Sequence, residues 1–292
     1  MTKITALLLA GSRPGSDPLA LAAGVPVKPL APVAGEPMIN YPARALLAHP
    51  SIGQLVILTQ TPELYKAEPA TAWLGDHPQV RFEASNSGIA STLLGLLDRP
   101  DLPFPLLVTT ADHVLLDMDM LDQFMAEGQG ADIAVAMVER TTLLARYPAS
   151  RRTWLKFRDG WWSGANLFWF GSAKARAVIS LWQEVEQDRK KGWKILAAFG
   201  PLVLLGALLR LLALRSGIAR IGRRFGLSAK LVAMQKAEAC IDADKGEDVT
   251  LIEDILRGKT SAVSSVRDWV DCGLSGIDAT ATDSRRSNYL AQ

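Results

Sequence analysis

Short apolar runs alternate with helix-period segments through the first half of the chain. "KITALLLA" (Lys3–Ala10) becomes continuously apolar and stops at Gly11. That is how a strand buried on both faces of a parallel sheet reads. "GQLVILTQ" (Gly53–Gln60), "QVRFEAS" (Gln79–Ser85), "FPLLVTTADHVLL" (Phe104–Leu116) and "ADIAVAMVE" (Ala131–Glu139) repeat the pattern. Between them lie "EPMINYPARALLAHP" (Glu36–Pro50), "GIASTLLGLLDRP" (Gly88–Pro100) and "DMDMLDQFMAEGQG" (Asp117–Gly130), all of helical period. Pro42 is expected to bend or delay the first of these helices. The alternation predicts an α/β fold with a mostly parallel sheet flanked by helices.

The second half is less regular. "TWLKFRDGWWSGANLFWF" (Thr153–Phe170) predicts a hairpin turning at Asp159–Gly160. An amphipathic helix follows over Ser172–Lys191, then the apolar segment Ile195–Leu214. Ala229–Leu256 returns to strand, loop and helix. This predicts one domain over residues 1–257, with a helical insertion over about 192–228. Residues 258–292, rich in Ser, Thr, Asp and Gly, read as a peripheral or disordered tail.

Composition narrows the class. In 292 residues, 49% hydrophobic and 21% charged, a sizeable core is expected. Thirty-two basic against 30 acidic residues leave a net charge of +2, which gives no argument for nucleic acid. Cys240 and Cys272, with His49, His77 and His113, fit no metal-binding spacing. Two cysteines that make no disulfide framework and the lack of a signal-peptide pattern in Met1–Ala10 lead to the expectation of a cytoplasmic protein.

Ligands of open α/β sheets bind beyond the carboxyl ends of the strands. After the first strand comes "AGSRPG" (Ala10–Gly15), small enough for the backbone to approach a phosphate, with Arg13 and Lys28 to add charge. An ordinary Gly/Pro/Ser loop is the alternative. "SNSGIAS" (Ser85–Ser91) suits a base or ribose against the backbone, or else helix capping by Ser85 or Ser87. Asp112 ends an apolar strand, where a Mg²⁺ bridging substrate phosphates would explain it; a turn acid is the bland reading. Asp242 and Asp244 alternate around Ala243, so an extended chain turns both carboxylates to one side. His113 reads as a shaping residue.

Taken together, "LLLAGSRPG…VPVKPLAPVAGEPMI", "SGIAST", "VTTADHVLL" and "IDADKGEDV" resemble the MobA-like NTP transferase family. These nucleotidyltransferases have a Rossmann-like, GT-A-like fold, and the resemblance runs over about Lys3–Leu256. Ser12 stands where the family has the second glycine of a pair, the loop before Lys28 is longer, and Arg13 is out of register. The resemblance implies transfer of an NMP group from an NTP, CTP or GTP, to a sugar, alcohol or cofactor phosphate, with release of pyrophosphate. It implies that Lys28, Asp112 and Asp242 are catalytic and that Asp112 and Asp242 hold Mg²⁺. Leu9, Ala10, Gly11, Ser12, Arg13, Lys28, Ser87 and Gly88 would bind the nucleotide. Lys156, Asn166 and Asp244 are candidates for the acceptor. The rival readings are a GT-A-type glycosyltransferase and a catalytically degenerate, membrane-associated regulatory protein.

The segment Ile195–Leu214 has the length of a membrane span and is flanked by Lys190, Lys191, Lys194, Arg215, Arg220, Arg223 and Arg224. A single crossing would separate Asp112 from Asp242, so a span is rejected. Gly200–Pro201 suggests two short helices instead. Two readings stay open: a buried insertion or face of a homo-oligomer, or a hairpin resting on the inner face of a membrane through residues 195–224.

Overall fold

The computed structural model describes residues 3–12, 15–85, 88–97, 99, 101–187 and 211–258. The chain divides into the units Met1–Thr260 and Ser261–Gln292. The second unit lies outside the described residues, as do 188–210, the larger part of the expected apolar insertion, and the tail beyond Gly258.

Ten strands are described: β1 (Ile4–Leu9), β2 (Pro32–Val33), β3 (Glu36–Pro37), β4 (Ile52–Thr59), β5 (Val80–Ala84), β6 (Leu106–Thr110), β7 (Ile133–Glu139), β8 (Leu155–Phe157), β9 (Gly160–Phe170) and β10 (Ala229–Ala233). The main sheet has the order β10-β7-β9-β6-β1-β4-β5, with β8 paired to β9. The pairs β1–β4, β1–β6, β4–β5 and β7–β10 are parallel; β9 is antiparallel to β6, β7 and β8. The apolar runs are continuous because helices cover both faces. Ala6, Leu8 and Ala10 enter one core with Leu46, Ile57 and Phe124. Leu7 enters the opposite core with Val56, Leu58 and Leu93. Each fully buried leucine contributes about 1.5–3 kcal/mol.

The Asp159–Gly160 hairpin forms where the sequence places it, with Phe157 opposite Gly160. Its second strand then continues into the sheet between β6 and β7, which makes the sheet mixed. The expected strand Phe104–Leu116 ends at Thr110, and Ala111–Leu116 turns across the strand ends. Pro42 delays its helix: the helix is Asn40–Ala48, and Pro42 falls in the first turn, where its missing N–H costs nothing.

Two elements replace expected loop. The chain before Lys28 holds the helix Pro18–Ala23, whose N-cap Asp17 accepts the N–H groups of Leu19 and Ala20. The segment "PVAGEP" forms the β2–β3 hairpin, with Ala34 and Gly35 both at positive φ (50° and 88°), as a tight two-residue turn requires. Among the described residues no helix is long and apolar enough to cross a membrane.

Candidate active site

The carboxyl ends of β1, β4, β5 and β6 meet on one edge of the sheet. Ala10 donates its N–H to Leu58 O (2.9 Å), and Ala111 donates to Leu9 O (2.9 Å). These bonds place the turn after β1 between Gln60 and the Asp112 turn. Tyr65, fully buried, donates its hydroxyl to Ala10 O at 2.8 Å. Ser12 donates its N–H to Gln60 Oε1 (2.9 Å) and accepts from Gln60 Nε2 at 3.3 Å. The turn is tight at Gly11, where a Cβ would lie 3.0 Å from Gln60 Nε2 and 3.1 Å from Ser85 Oγ, so a larger residue requires those side chains to shift.

Lys28 is anchored by its neighbours. Val27, Pro29, Leu30 and Ala31 are buried. Ile39 N–H donates to Pro29 O (3.1 Å) and Met38 N–H to Ala31 O (3.0 Å). The β2–β3 turn is pinned by Ala34 N–H to Glu253 Oε1 (2.8 Å) and Tyr41 Oη to Val33 O (2.7 Å). With its backbone fixed, Lys28 directs Nζ to Asp112 Oδ2 (2.7 Å) and Asp244 Oδ1 (2.8 Å).

The late acidic segment docks on the first through backbone, because Ala243 N–H donates to Asp112 O at 3.0 Å. Ala243 is buried while Asp242 and Asp244 face the site. Carboxylate oxygens of Asp112, Asp242 and Asp244 lie within 4.8 Å of one another. Thr110 Oγ1 donates to Asp112 Oδ1. Asp242 accepts from Arg152 Nη1 and from Asn166 Nδ2 (3.3 Å). Asn166 has positive φ (47°) in β9, where Val135 pairs with Phe168 but Met137 with Gly164. This bulge turns the amide towards Asp242, and asparagine tolerates the backbone conformation.

Charge in the cluster is balanced unevenly. Burial pulls the Lys28 pKa down, but Asp112 and then Asp244 outweigh it, so the net shift is upward and the ammonium persists. Asp242 is pushed up to about 6, by burial first and then by Asp244; Arg152 opposes the shift. Burial also raises Asp244, but its bond to Lys28 holds it below the usual carboxylate range. His113 is buried, meets Thr109 Oγ1 at 3.2 Å and is outside the cluster; burial lowers its pKa to about 4.

The geometry brings together Lys28, Asp112, Asp242, Asp244 and Asn166. Leu9, Ala10, Gly11 and Ser12 form the adjoining turn, and Gly88 opens the helix Ile89–Leu97 by accepting from Thr92 N–H at 3.1 Å. Arg13 and Ser87 lie outside the described residues. Lys156 pairs across the β8–β9 hairpin with Trp161, its Nζ 4.3 Å from the ring centroid. Sequence reading missed Arg152, whose side chain is 8% exposed and joins Asp242 to Asp248 (3.0 Å). Nothing in "YPASRRTW" separates it from a solvated arginine. Gln60 was equally silent, as an ordinary polar residue at a strand end.

Comparisons with known proteins agree with the fold. The family model of the MobA-like NTP transferase domain matches residues 7–217. The match stops short of Asp242 and Asp244, which the fold itself carries to the site. A hypothetical transferase from Thermus thermophilus is 26% identical, with a TM-score of 0.69 over 85% of this chain and 100% of its own. A 4-diphosphocytidyl-2C-methyl-D-erythritol synthase from Anaerococcus prevotii shares the fold at 8% identity, with a TM-score of 0.53 over 88% and 96%. A second synthase of that name is similar at 12% identity, with a TM-score of 0.53 over 88% and 99%. No curated protein matches the chain.

Proposed function

We propose that this chain, which belongs to the MobA-like NTP transferase family and is a nucleotidyl-transfer enzyme, moves an NMP group from CTP or GTP to a phosphorylated small molecule. The acceptor is a sugar, alcohol or cofactor phosphate, and pyrophosphate is released. The observation that carries this reading is the convergence of Lys28, Asp112, Asp242 and Asp244 at the carboxyl ends of the strands, beside the turn of Gly11 and Ser12.

The residues present suit a hard divalent cation. Three carboxylates converge from two separate segments, and hard cations take oxygen ligands. Asp112 and Asp242 would hold Mg²⁺, with Asp244 as a third oxygen donor. The ion would neutralise charge on the triphosphate.

The chain's own residues then have limited work. An acceptor phosphate is largely ionised at neutral pH, so no general base is required. One of its oxygens bonds to the α-phosphorus as the bond from α-phosphorus to the bridging oxygen breaks. The task is alignment and charge neutralisation. Lys28 is an ammonium on a fixed backbone and serves the phosphates once it leaves its carboxylates. Leu9, Ala10, Gly11 and Ser12 would form the wall for the nucleotide with Gly88, and Arg13 and Ser87 would add to its binding. Ala10 N–H is already spent on Leu58 and Ser12 N–H on Gln60, so the amide of Gln60 must be read or displaced by an arriving base. Asn166 and Arg152 keep Asp242 oriented, and Asp244 and Lys156 would serve the acceptor.

The enzyme works in the cytoplasm at the inner face of a membrane. A contact through residues 195–224 would bring it to a phosphorylated precursor of a lipid headgroup. Pyrophosphate release from each NTP with Mg²⁺ and a panel of phosphorylated acceptors tests the chemistry. Release with CTP or GTP, dependent on the acceptor, is expected. Transfer from a nucleotide sugar without pyrophosphate would overturn the reading.

A further inference from the structure

The helix Leu214–Arg224 separates its residues into two halves. Leu214, Gly217 and Gly222 are buried, Ile218, Ile221 and Phe225 are half-buried, and the helix packs on β10. Arg215, Ser216, Arg220, Arg223 and Arg224 are exposed. At 3.6 residues per turn the four arginines fall within about one half of the circumference. The helix contains no acidic residue.

Charge on a helix face is ordinarily balanced by neighbouring acids, and here it is not. Arg215 donates weakly to Leu231 O at 3.4 Å. Among the described residues no carboxylate pairs with Arg220, Arg223 or Arg224. The helix dipole accounts for Arg223 and Arg224 in the last turn. It disfavours Arg215 in the first. A cationic face in a chain of net charge +2 is therefore a local concentration and no reflection of composition.

We propose that this face docks by charge on an anionic phospholipid surface. Charge complementarity calls for a polyanion, and the neighbouring sequence selects which. The residues leading to the helix are "ILAAFGPLVLLGALL" (Ile195–Leu209), a composition that suits lipid more than nucleic acid. Leu211, at the entry to the helix, is 64% exposed. The helix spends its own apolar half on the sheet, so its arginines meet headgroups without its insertion. The inference deepens the membrane part of the proposed function and does not depend on the nucleotide or the acceptor.

Flotation of the full chain tests it, with vesicles of phosphatidylcholine alone or with 30% phosphatidylglycerol. Binding to the anionic vesicles only, weakened at least tenfold by about 0.5 M salt, is expected. Replacing Arg215, Arg220, Arg223 and Arg224 together by Gln should reduce binding by roughly 100-fold or more. The corresponding Lys variant keeps the charge and should bind as the wild type, which separates loss of charge from loss of fold. Pyrophosphate release in solution should be the same in all three proteins, so failure of docking and failure of the chemistry are distinguishable. No flotation at low salt, equal binding to neutral vesicles, or undiminished binding of a folded Gln variant overturns the proposal. Binding to a 20-base-pair DNA duplex in preference to the anionic vesicles also overturns it.

Discussion

Replacing Lys28 by Met should affect metal and nucleotide in opposite directions. The ammonium is 2.7 Å from Asp112 and 2.8 Å from Asp244, oxygens that the proposal also gives to the metal. At such distances a unit-charge pair is worth about 6 kcal/mol at an effective dielectric constant near 20. Lys28 and Asp112 are 18% exposed, but Asp244 is 55% exposed, so solvent screening reduces the net interaction to about 1–2 kcal/mol. A cation entering the wild-type cluster must overcome that amount; in Lys28→Met it need not. Binding of Mn²⁺ without nucleotide, read from the free-ion electron paramagnetic resonance signal, should tighten by about 5- to 30-fold. The same variant lacks the cation for the phosphates, and kcat should fall by about 100- to 1,000-fold. Weaker Mn²⁺ binding in Lys28→Met would refute the claim that lysine and metal share these oxygens. A kcat within threefold of wild type would refute the phosphate role.

Further predictions concern the residues around the cluster. Arg152→Met leaves Asp242 and Asp248 without their buried cation and should lower urea stability by about 3–5 kcal/mol, with only partial recovery in Arg152→Lys, which lacks the planar fork. Because Asp242 ionises only near pH 6 and must be ionised to ligate, Mn²⁺ affinity should fall up to about tenfold per pH unit below that point; a flat titration to pH 4.5 contradicts it. His113 has a folded pKa of about 4 against 6.5 unfolded, so the unfolded chain takes up the proton first. Stability is therefore lost as pH falls from 6.5 towards 4, by about 3 kcal/mol in all, and His113→Gln should flatten that part of the urea-stability profile.

The continuous apolar strands were legible because burial on both faces leaves no polar positions. Asp112 and the Asp242–Asp244 pair were legible because acids directly beyond apolar runs need a reason. The position of β9 was not legible: alternation in "GANLFWF" states that a strand has faces but not which neighbours it joins. The helix Pro18–Ala23 carried a readable signal in Asp17–Pro18, a capping residue followed by proline, but six residues give too short a period to register. Arg152 could not be found from sequence, since its role depends on Asp242 and Asp248, about ninety residues away. Asn166 gains its direction from a bulge that only strand pairing creates.

On the proposed function, Asp112 and Asp242 form one cation site serving an NTP. Mn²⁺ binding by wild type, Asp112→Asn, Asp242→Asn and the double variant, each with and without CTP or GTP, tests it most directly. The wild type should show one tight site that strengthens with nucleotide, is weakened at least tenfold by either substitution, and loses no more in the double variant than one shared site allows. Wild-type Mn²⁺ binding that survives both substitutions, or that is indifferent to CTP and GTP, would contradict it.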